Sequence, residues 1–213
     1  MYTELTHSKS IAAVLALCAA LGACSNKRSV ATTDTTATSA QSTKTAGGTL
    51  DTTTAGGAVS GNWTDASIFA YLTAANNAEI AEGRLAERMA TSPAVKAFAR
   101  QMVTDHTKML QDGKALATKL SVTPDTTKSD VSDVRKDSAS TAQDLTKKQR
   151  GADWDKAYMD KQVDDHQKVI DHLNDFINSA QNAELRNMLQ QALPKVQQHL
   201  ASAKDIKDNK LKS

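Results

Sequence analysis

One short motif occurs twice in this chain, each time within a long segment whose apolar residues recur at helical spacing. Residues 101–110 read QMVTDHTKML and residues 161–170 read KQVDDHQKVI, so both contain Val-x-Asp-His-x-Lys followed by two apolar residues. Apolar residues three and four positions apart lie on one face of an α-helix, and His106 and His166 fall on that face. A buried imidazole needs a partner for its ring nitrogens. The repeat therefore predicts a helical protein with polar groups in its core.

The first pair of helices is predicted from strong start and stop signals. Thr64 or Asp65 can cap a helix that runs to about Ala90, and Ser92-Pro93 then provides an N-cap and a favourable first helical residue for the second helix. Such a short connection makes the two helices antiparallel neighbours.

A polar segment, residues 121–150, separates this pair from a second one. Residues 129–148 are predicted to form a solvent-exposed helix that crosses over the bundle. The third long helix opens at Gly151, and the fourth follows a short break in which Asn182 is the cap. Pro194 lies inside the fourth helix, where we expect a tolerated bend; the alternative is a kink that aims His199 inward. The starts of the second and fourth helices are also alike, which indicates two related hairpins.

The composition supports an all-α fold and excludes several functions. Aromatic residues make up 4% of the chain and there are three prolines, which suits helices better than sheets. The formal net charge is only +2, so no nucleic-acid partner is expected. The two cysteines, Cys18 and Cys24, both precede the predicted helices, which leaves the helical part without a thiol for a disulfide or a catalytic site.

The N-terminus has the features of an export signal. Lys9 precedes the apolar run IAAVLALCAA, which ends in Leu-Gly-Ala-Cys at residues 21–24. That ending resembles the bacterial lipobox, so residues 1–23 are predicted to be a signal peptide and Cys24 the lipidated first residue. Membrane attachment through this lipid, on the periplasmic side and in the outer membrane, is the expected localisation. The alternatives are secretion after cleavage at Ala23 and an uncleaved anchor.

The chain that follows the lipobox is low in complexity. Residues 24–62 consist largely of Thr, Ser, Ala and Gly. Such a segment buries too little apolar surface to offset its ordering entropy, so it is predicted to be a disordered linker. The folded domain is predicted to span residues 63–210.

Each of the four long predicted helices brings one ionisable side chain to the middle of its apolar face. These side chains are Glu79, His106, His166 and His199. Metal sites in helical bundles are built from one inward ligand per helix, and this set would suit a divalent transition metal such as zinc, iron, manganese or copper. The sequence therefore predicts one metal ion bound by these four groups. Three further acidic side chains are predicted to support the ligands or to add one: Glu82, Asp105 and Asp165.

A metal-free arrangement would satisfy the same residues. A network of hydrogen bonds between Glu79 and the histidines across the core would pair the buried groups without any ion. His172 lies off the apolar stripe and is predicted to face solvent. The sequence contains no phosphate-binding glycine loop, no Gly-x-Ser-x-Gly and no His-Glu-x-x-His.

Several motifs in the helical region together resemble those of one family. They are residues 77–79 (NAE), 95–106 (VKAFARQMVTDH), 154–158 (WDKAY), 163–166 (VDDH) and 193–199 (LPKVQQH). They are similar to a bacterial family of predicted outer-membrane and periplasmic proteins known as domain-of-unknown-function family 4142. The resemblance implies a ferritin-like, antiparallel four-helix bundle and export, and it implies no established activity.

The chain departs from the Glu-x-x-His pairs of ferritin-type di-iron proteins. The residue three positions before His106, His166 and His199 is valine in each case. This departure argues against ferroxidase or oxygenase chemistry. We therefore expect a non-enzymatic envelope lipoprotein that binds a metal ion for metal handling or stress tolerance. The alternative is a metal-free structural or interaction module, and no feature of the sequence identifies a protein partner.

Overall fold

The computed structural model of the protein describes residues 63–211, and within them it is all-helical. It contains five α-helices and one π-helical turn, with no β-strand in this part of the chain: α1 Asp65–Met89, α2 Pro93–Lys119, α3 Ser129–Lys147, α4 Ala152–Ser179, α5 Ala183–Asp205 and the turn Ile206–Lys210. The all-α prediction is confirmed. The predicted signal peptide (1–23), the lipidated Cys24 and the predicted linker (24–62) lie outside the described residues.

The helix ends follow the local signals in the sequence. Thr64 and Ser67 form a reciprocal capping box, in which the Ser67 amide donates to Thr64 Oγ1 at 3.2 Å and the Thr64 amide donates to Ser67 Oγ at 2.9 Å. Asn182 Oδ1 accepts from two amides of the first turn of α5. That helix also continues without a break through Pro194.

The corner between α1 and α2 is capped from a distant helix instead. Ser92 occupies the N-cap position of α2, but its side chain makes no capping hydrogen bond. The carboxylate of Asp155, on α4, accepts from the Ser92 amide at 2.7 Å, from the Thr91 amide at 2.9 Å and from Thr91 Oγ1 at 2.6 Å. Asp65, on α1, accepts from the amides of Gln181 and Asn182 at the other corner. Each hairpin thus supplies an aspartate to the corner of the other.

The helices pack in two hairpins, α1 with α2 and α4 with α5, which share one interior. Gly83 permits a close approach of α1 to α2, because an added Cβ there would lie 2.9 Å from Val103 Cγ2 and 3.1 Å from the Ala99 carbonyl oxygen. Helix α3 packs on α1 and α4 and buries only Val131 and Leu145, so it is the largely exposed helix that the sequence predicts.

The apolar core consists of two clusters. One surrounds Trp63, Tyr71 and Phe176, and the other surrounds Trp154 and Met102. On α1, α2 and α4 a group of buried polar residues lies, along the chain, between the members of these two clusters: Asn76, Glu79 and Glu82 on α1, His106 on α2, and Gln162 and His166 on α4. The helices therefore hold a polar layer between two apolar ones. None of the helices between residues 63 and 211 is long and apolar enough to cross a membrane.

Candidate metal centre

Three of the four predicted core ligands come together in the polar layer. His106 from α2, His166 from α4 and His199 from α5 are 5%, 1% and 0% exposed. Their ring centroids form a nearly equilateral triangle with sides of 5.7, 5.3 and 5.4 Å. One ring nitrogen from each histidine lies within 4.8 Å of the other two, a grouping suited to a metal ion. The structure thus brings three of the four predicted side chains together, and their role as metal ligands stays a prediction.

The imidazole of His106 is oriented by Asn76 on α1. His106 Nδ1 lies 2.9 Å from Asn76 Oδ1, and Asn76 Nδ2 donates to the Leu72 carbonyl at 2.7 Å. Because the amide group of Asn76 already donates through its nitrogen, its oxygen faces the ring and accepts a hydrogen bond from Nδ1. The proton of neutral His106 is therefore on Nδ1, and the lone pair is on Nε2.

The other two histidines are oriented in the same way by different acceptors. His166 Nδ1 donates to the main-chain carbonyl of Gln162 at 2.9 Å. His199 Nε2 donates to Asp105 Oδ2, also at 2.9 Å. A carbonyl and a carboxylate only accept, so these nitrogens carry the protons. The lone pairs are then on His166 Nε2 and His199 Nδ1.

The three remaining ring nitrogens are buried without a hydrogen-bond partner in the described part of the chain. They are His106 Nε2, His166 Nε2 and His199 Nδ1. Metal-binding histidines usually donate their second ring N–H to a carboxylate, a backbone carbonyl or another acceptor, which fixes the tautomer and the ring orientation. All three histidines here have such an outer acceptor and an unpaired inner nitrogen.

Burial keeps these imidazoles neutral. It lowers the pKa of His106 well below its ordinary value, with a further contribution from the two neighbouring rings, and it lowers the pKa of His166 to about 4. The pKa of His199 is also lowered by burial, although the hydrogen bond to Asp105 opposes the shift. Neutral imidazole is the form that binds metal ions.

Glu79 lies beside the three histidines and contacts the outer edge of His166. Glu79 Oε2 accepts from Gln162 Nε2 at 3.0 Å, and its Oε1 is 3.8 Å from His166 Nδ1, the nitrogen that donates to a carbonyl. Burial raises the pKa of Glu79 to about 8, and the charge of Asp165 adds to the shift. In this arrangement Glu79 supports His166 through Gln162, and its role as a direct ligand stays a prediction.

The other acidic residues lie in two different places. Glu82 is buried next to Glu79, and burial together with that neighbour raises its pKa to about 8. Asp165 pairs with Lys161 at 2.6 Å and lines the same small cavity as the two glutamates. Asp105 accepts a hydrogen bond from the ring of His199, not from that of its chain neighbour His106.

Two polar residues of the core region were not anticipated correctly. Asn76, which orients His106, was missed, although it stands three residues before Glu79 and so shares its helix face. The prediction that His172 faces solvent was wrong. Its ring is half-buried, with its centroid 4.5 Å from that of Tyr71 and 5.6 Å from that of Phe176.

Comparison with known proteins identifies the family. The model of the family described as Domain of unknown function (DUF4142) matches residues 49–206, well over half of the chain, so the chain belongs to this family, as the sequence predicted. No curated protein matches significantly. Among solved structures, the chain is similar to CopM, determined in its Cu(II)-bound form, with 14% identity and a TM-score of 0.54 over 70% of this chain and 98% of that one. At this identity the likeness shows a shared fold.

Proposed function

We propose that this DUF4142 protein binds one transition-metal ion in its core through His106 Nε2, His166 Nε2 and His199 Nδ1. Its role would be to bind or hold that ion in the cell envelope, for metal handling or for tolerance of metal stress. The proposal requires no catalytic step. The scarcity of carboxylates at the three nitrogens favours binding over di-metal oxygen chemistry, which uses several glutamates.

A single observation carries this proposal. Three neutral imidazoles are each held by an outer acceptor and each keep a second, buried nitrogen unpaired, and one ring nitrogen of each lies within 4.8 Å of the other two. A buried polar atom without a partner costs about 1–3 kcal/mol. Three unpaired atoms at one point would considerably destabilise a purely structural core. A bound cation would give all three a partner at once.

The ligand set favours particular ions. Imidazole nitrogens suit zinc, copper, iron and nickel, whereas magnesium and calcium prefer oxygen ligands. The similar structure, CopM, is described as binding Cu(II). Copper is therefore the first ion to test, with zinc second. On binding, the three nitrogens would move closer to one another than their present separations of up to 4.8 Å, because each metal–nitrogen bond measures about 2.0–2.1 Å.

The metal-free alternative has a specific weakness. A hydrogen-bonded network that replaced the metal would have to pair the inner nitrogens, and it pairs only the outer ones. The contact between Glu79 and Gln162 lies beyond the outer edge of His166 and satisfies none of the three nitrogens. The network thus supports the ligands without replacing the ion.

The envelope setting is part of the proposal. The predicted signal peptide, Cys24 as a lipid attachment site and the predicted linker would tether the domain to a membrane. We further propose that α1, α2, α4 and α5 form the ferritin-like four-helix bundle implied by the family, with α3 as its crossover segment. These same four helices contribute the buried residues of the polar layer, which supports that arrangement.

Elemental analysis of the purified full chain tests the metal centre. The protein would be incubated separately with Cu(II), Zn(II) and Fe(II), desalted and analysed beside the double variant His106→Ala/His166→Ala. We expect close to one equivalent of one ion in the wild type and none in the double variant. His172→Ala is the matched control, because it removes an imidazole from α4 outside the centre.

Two further results would decide the details. If the wild type and the double variant carry the same amount of every ion, the three histidines are not a metal site and the proposal fails. Glu79→Gln tests the predicted fourth ligand, because an amide would preserve the hydrogen bond to Gln162 but bind a cation far more weakly than a carboxylate. Unchanged affinity in that variant would assign Glu79 a supporting role.

A further inference from the structure

The three inner nitrogens are enclosed, so an ion from solution needs a route to them. None of the three histidines is more than 5% exposed. Any passage must therefore run between side chains of the surrounding helices. A cavity that serves as this passage has to contact the groups that hold these imidazoles.

The cavity that meets this condition lies between α1, α2 and α5. It has a volume of about 320 Å³, and its wall includes Asn76 and Asp105 together with Met109, Gly113, Met188 and Ala192. Its wall also includes Lys108 and Lys195, whose exposed side chains show that it reaches the protein surface. It is therefore connected to solvent at one end and reaches the polar layer at the other.

The inner end of this cavity is formed by two of the three outer acceptors. Asn76 bonds His106 and Asp105 bonds His199, each at 2.9 Å. The cavity wall therefore contains residues that bond directly to two of the three imidazoles. The other described cavities contain none of the three acceptors: one of about 50 Å³ is lined by Glu79, Glu82 and Asp165, and the remaining two lie along other helix surfaces.

We infer that this cavity is the access route of the metal ion, and that Asp105 is the first ligand the ion meets at its inner end. This inference rests on the proposed function. Asp105 has a side chain that is 23% exposed, with one carboxylate oxygen 2.9 Å from His199 and 3.8 Å from Lys195.

The test is kinetic and uses the full chain. Binding of Cu(II) would be followed by stopped-flow quenching of tryptophan fluorescence, and the phase that depends on the centre is the one lost in His106→Ala/His166→Ala. Ala192→Phe would fill the cavity, and Gly113→Phe would do so from the opposite helix at a glycine with open space around it. Ala201→Phe places the same ring on α5 in a different cavity and is the matched control.

We expect both cavity variants to bind Cu(II) about tenfold more slowly or slower still, because the route then requires a rearrangement. Their equilibrium affinity and the rate of the control should equal those of the wild type. If both cavity variants are folded, as judged by circular dichroism, and still bind Cu(II) at the wild-type rate, the access route is wrong. The proposed metal centre would be unaffected by that result. If the wild type lacks the histidine-dependent phase, the proposed function fails, and this inference with it.

Discussion

Replacing Glu79 with glutamine tests how much the buried carboxyl group reduces the stability of the fold. The side chain is 5% exposed, and burial raises its pKa from an ordinary value of 4.5 to about 8. Because the folded state holds this proton more tightly, the group favours folding below pH 4.5, and that contribution is lost as the pH rises through 8. Glutamine cannot ionise, so the variant should not show this loss.

The magnitude follows from the pKa difference. Each pKa unit corresponds to about 1.4 kcal/mol, so an unfolded-state pKa of 4.5 and a folded-state pKa near 8 give a penalty of about 3 kcal/mol at pH 7. The glutamine oxygen can still accept the hydrogen bond from Gln162, so little packing or bonding is lost. Glu79→Gln should therefore be more stable than the wild type by about this amount at neutral pH.

Urea unfolding of the metal-free proteins at pH 5, 6, 7 and 8 measures this difference. The free energies of unfolding should be similar at pH 5 and should diverge steadily toward pH 8. Glu87→Gln makes the same chemical change at an exposed position of α1 and should show no such divergence. A Glu79→Gln variant that is less stable than the wild type at pH 8, or a difference that does not vary with pH, would refute the reasoning.

Two further substitutions test the contacts that hold the centre and the hairpins. Asp105→Asn replaces the carboxylate that accepts the hydrogen bond from His199 with a neutral amide. This change should weaken metal binding about 10–100-fold, measured by competition titration with a chromophoric chelator. Asp160→Asn, on the surface of α4, should leave the affinity unchanged, and equal affinities in both variants would contradict the role of Asp105. Asp155→Ala leaves the two main-chain amides at the α1–α2 corner without their acceptor and should lower the free energy of urea unfolding by about 3 kcal/mol. A loss no larger than that of the exposed neighbour variant Asp153→Ala would show that the corner is held by other contacts.

The helices of this protein could be predicted because their signals are local. Thr64 and Asn182 cap their helices through hydrogen bonds to amides two or three residues away, and Pro93 starts α2. Such contacts depend on neighbouring residues alone. The exposed helix α3 was predicted as well, since its polar sequence leaves only two residues, Val131 and Leu145, to bury.

The partners of the buried polar groups could not be predicted from the same signals. Asp105 was expected to support the metal ligands, but the sequence does not show that its partner is His199, which is 94 residues away in the chain. Asn76 orients His106 from another helix, and Asp155 takes over the capping role expected of Ser92. Each of these contacts depends on how far one helix is shifted and rotated against another.

The sequence by itself determined which residues face the core, because the 3.6-residue period of the helix places His106, His166 and His199 on apolar stripes. Only the tertiary structure decided which atoms meet. Close approach at Gly83 and the reciprocal aspartates at the two corners set the offsets between helices. Those offsets bring three ring nitrogens together. They also place Glu79, the predicted fourth ligand, in a hydrogen bond with Gln162. Helical periodicity defines a direction for each side chain, whereas packing defines the distance between two of them.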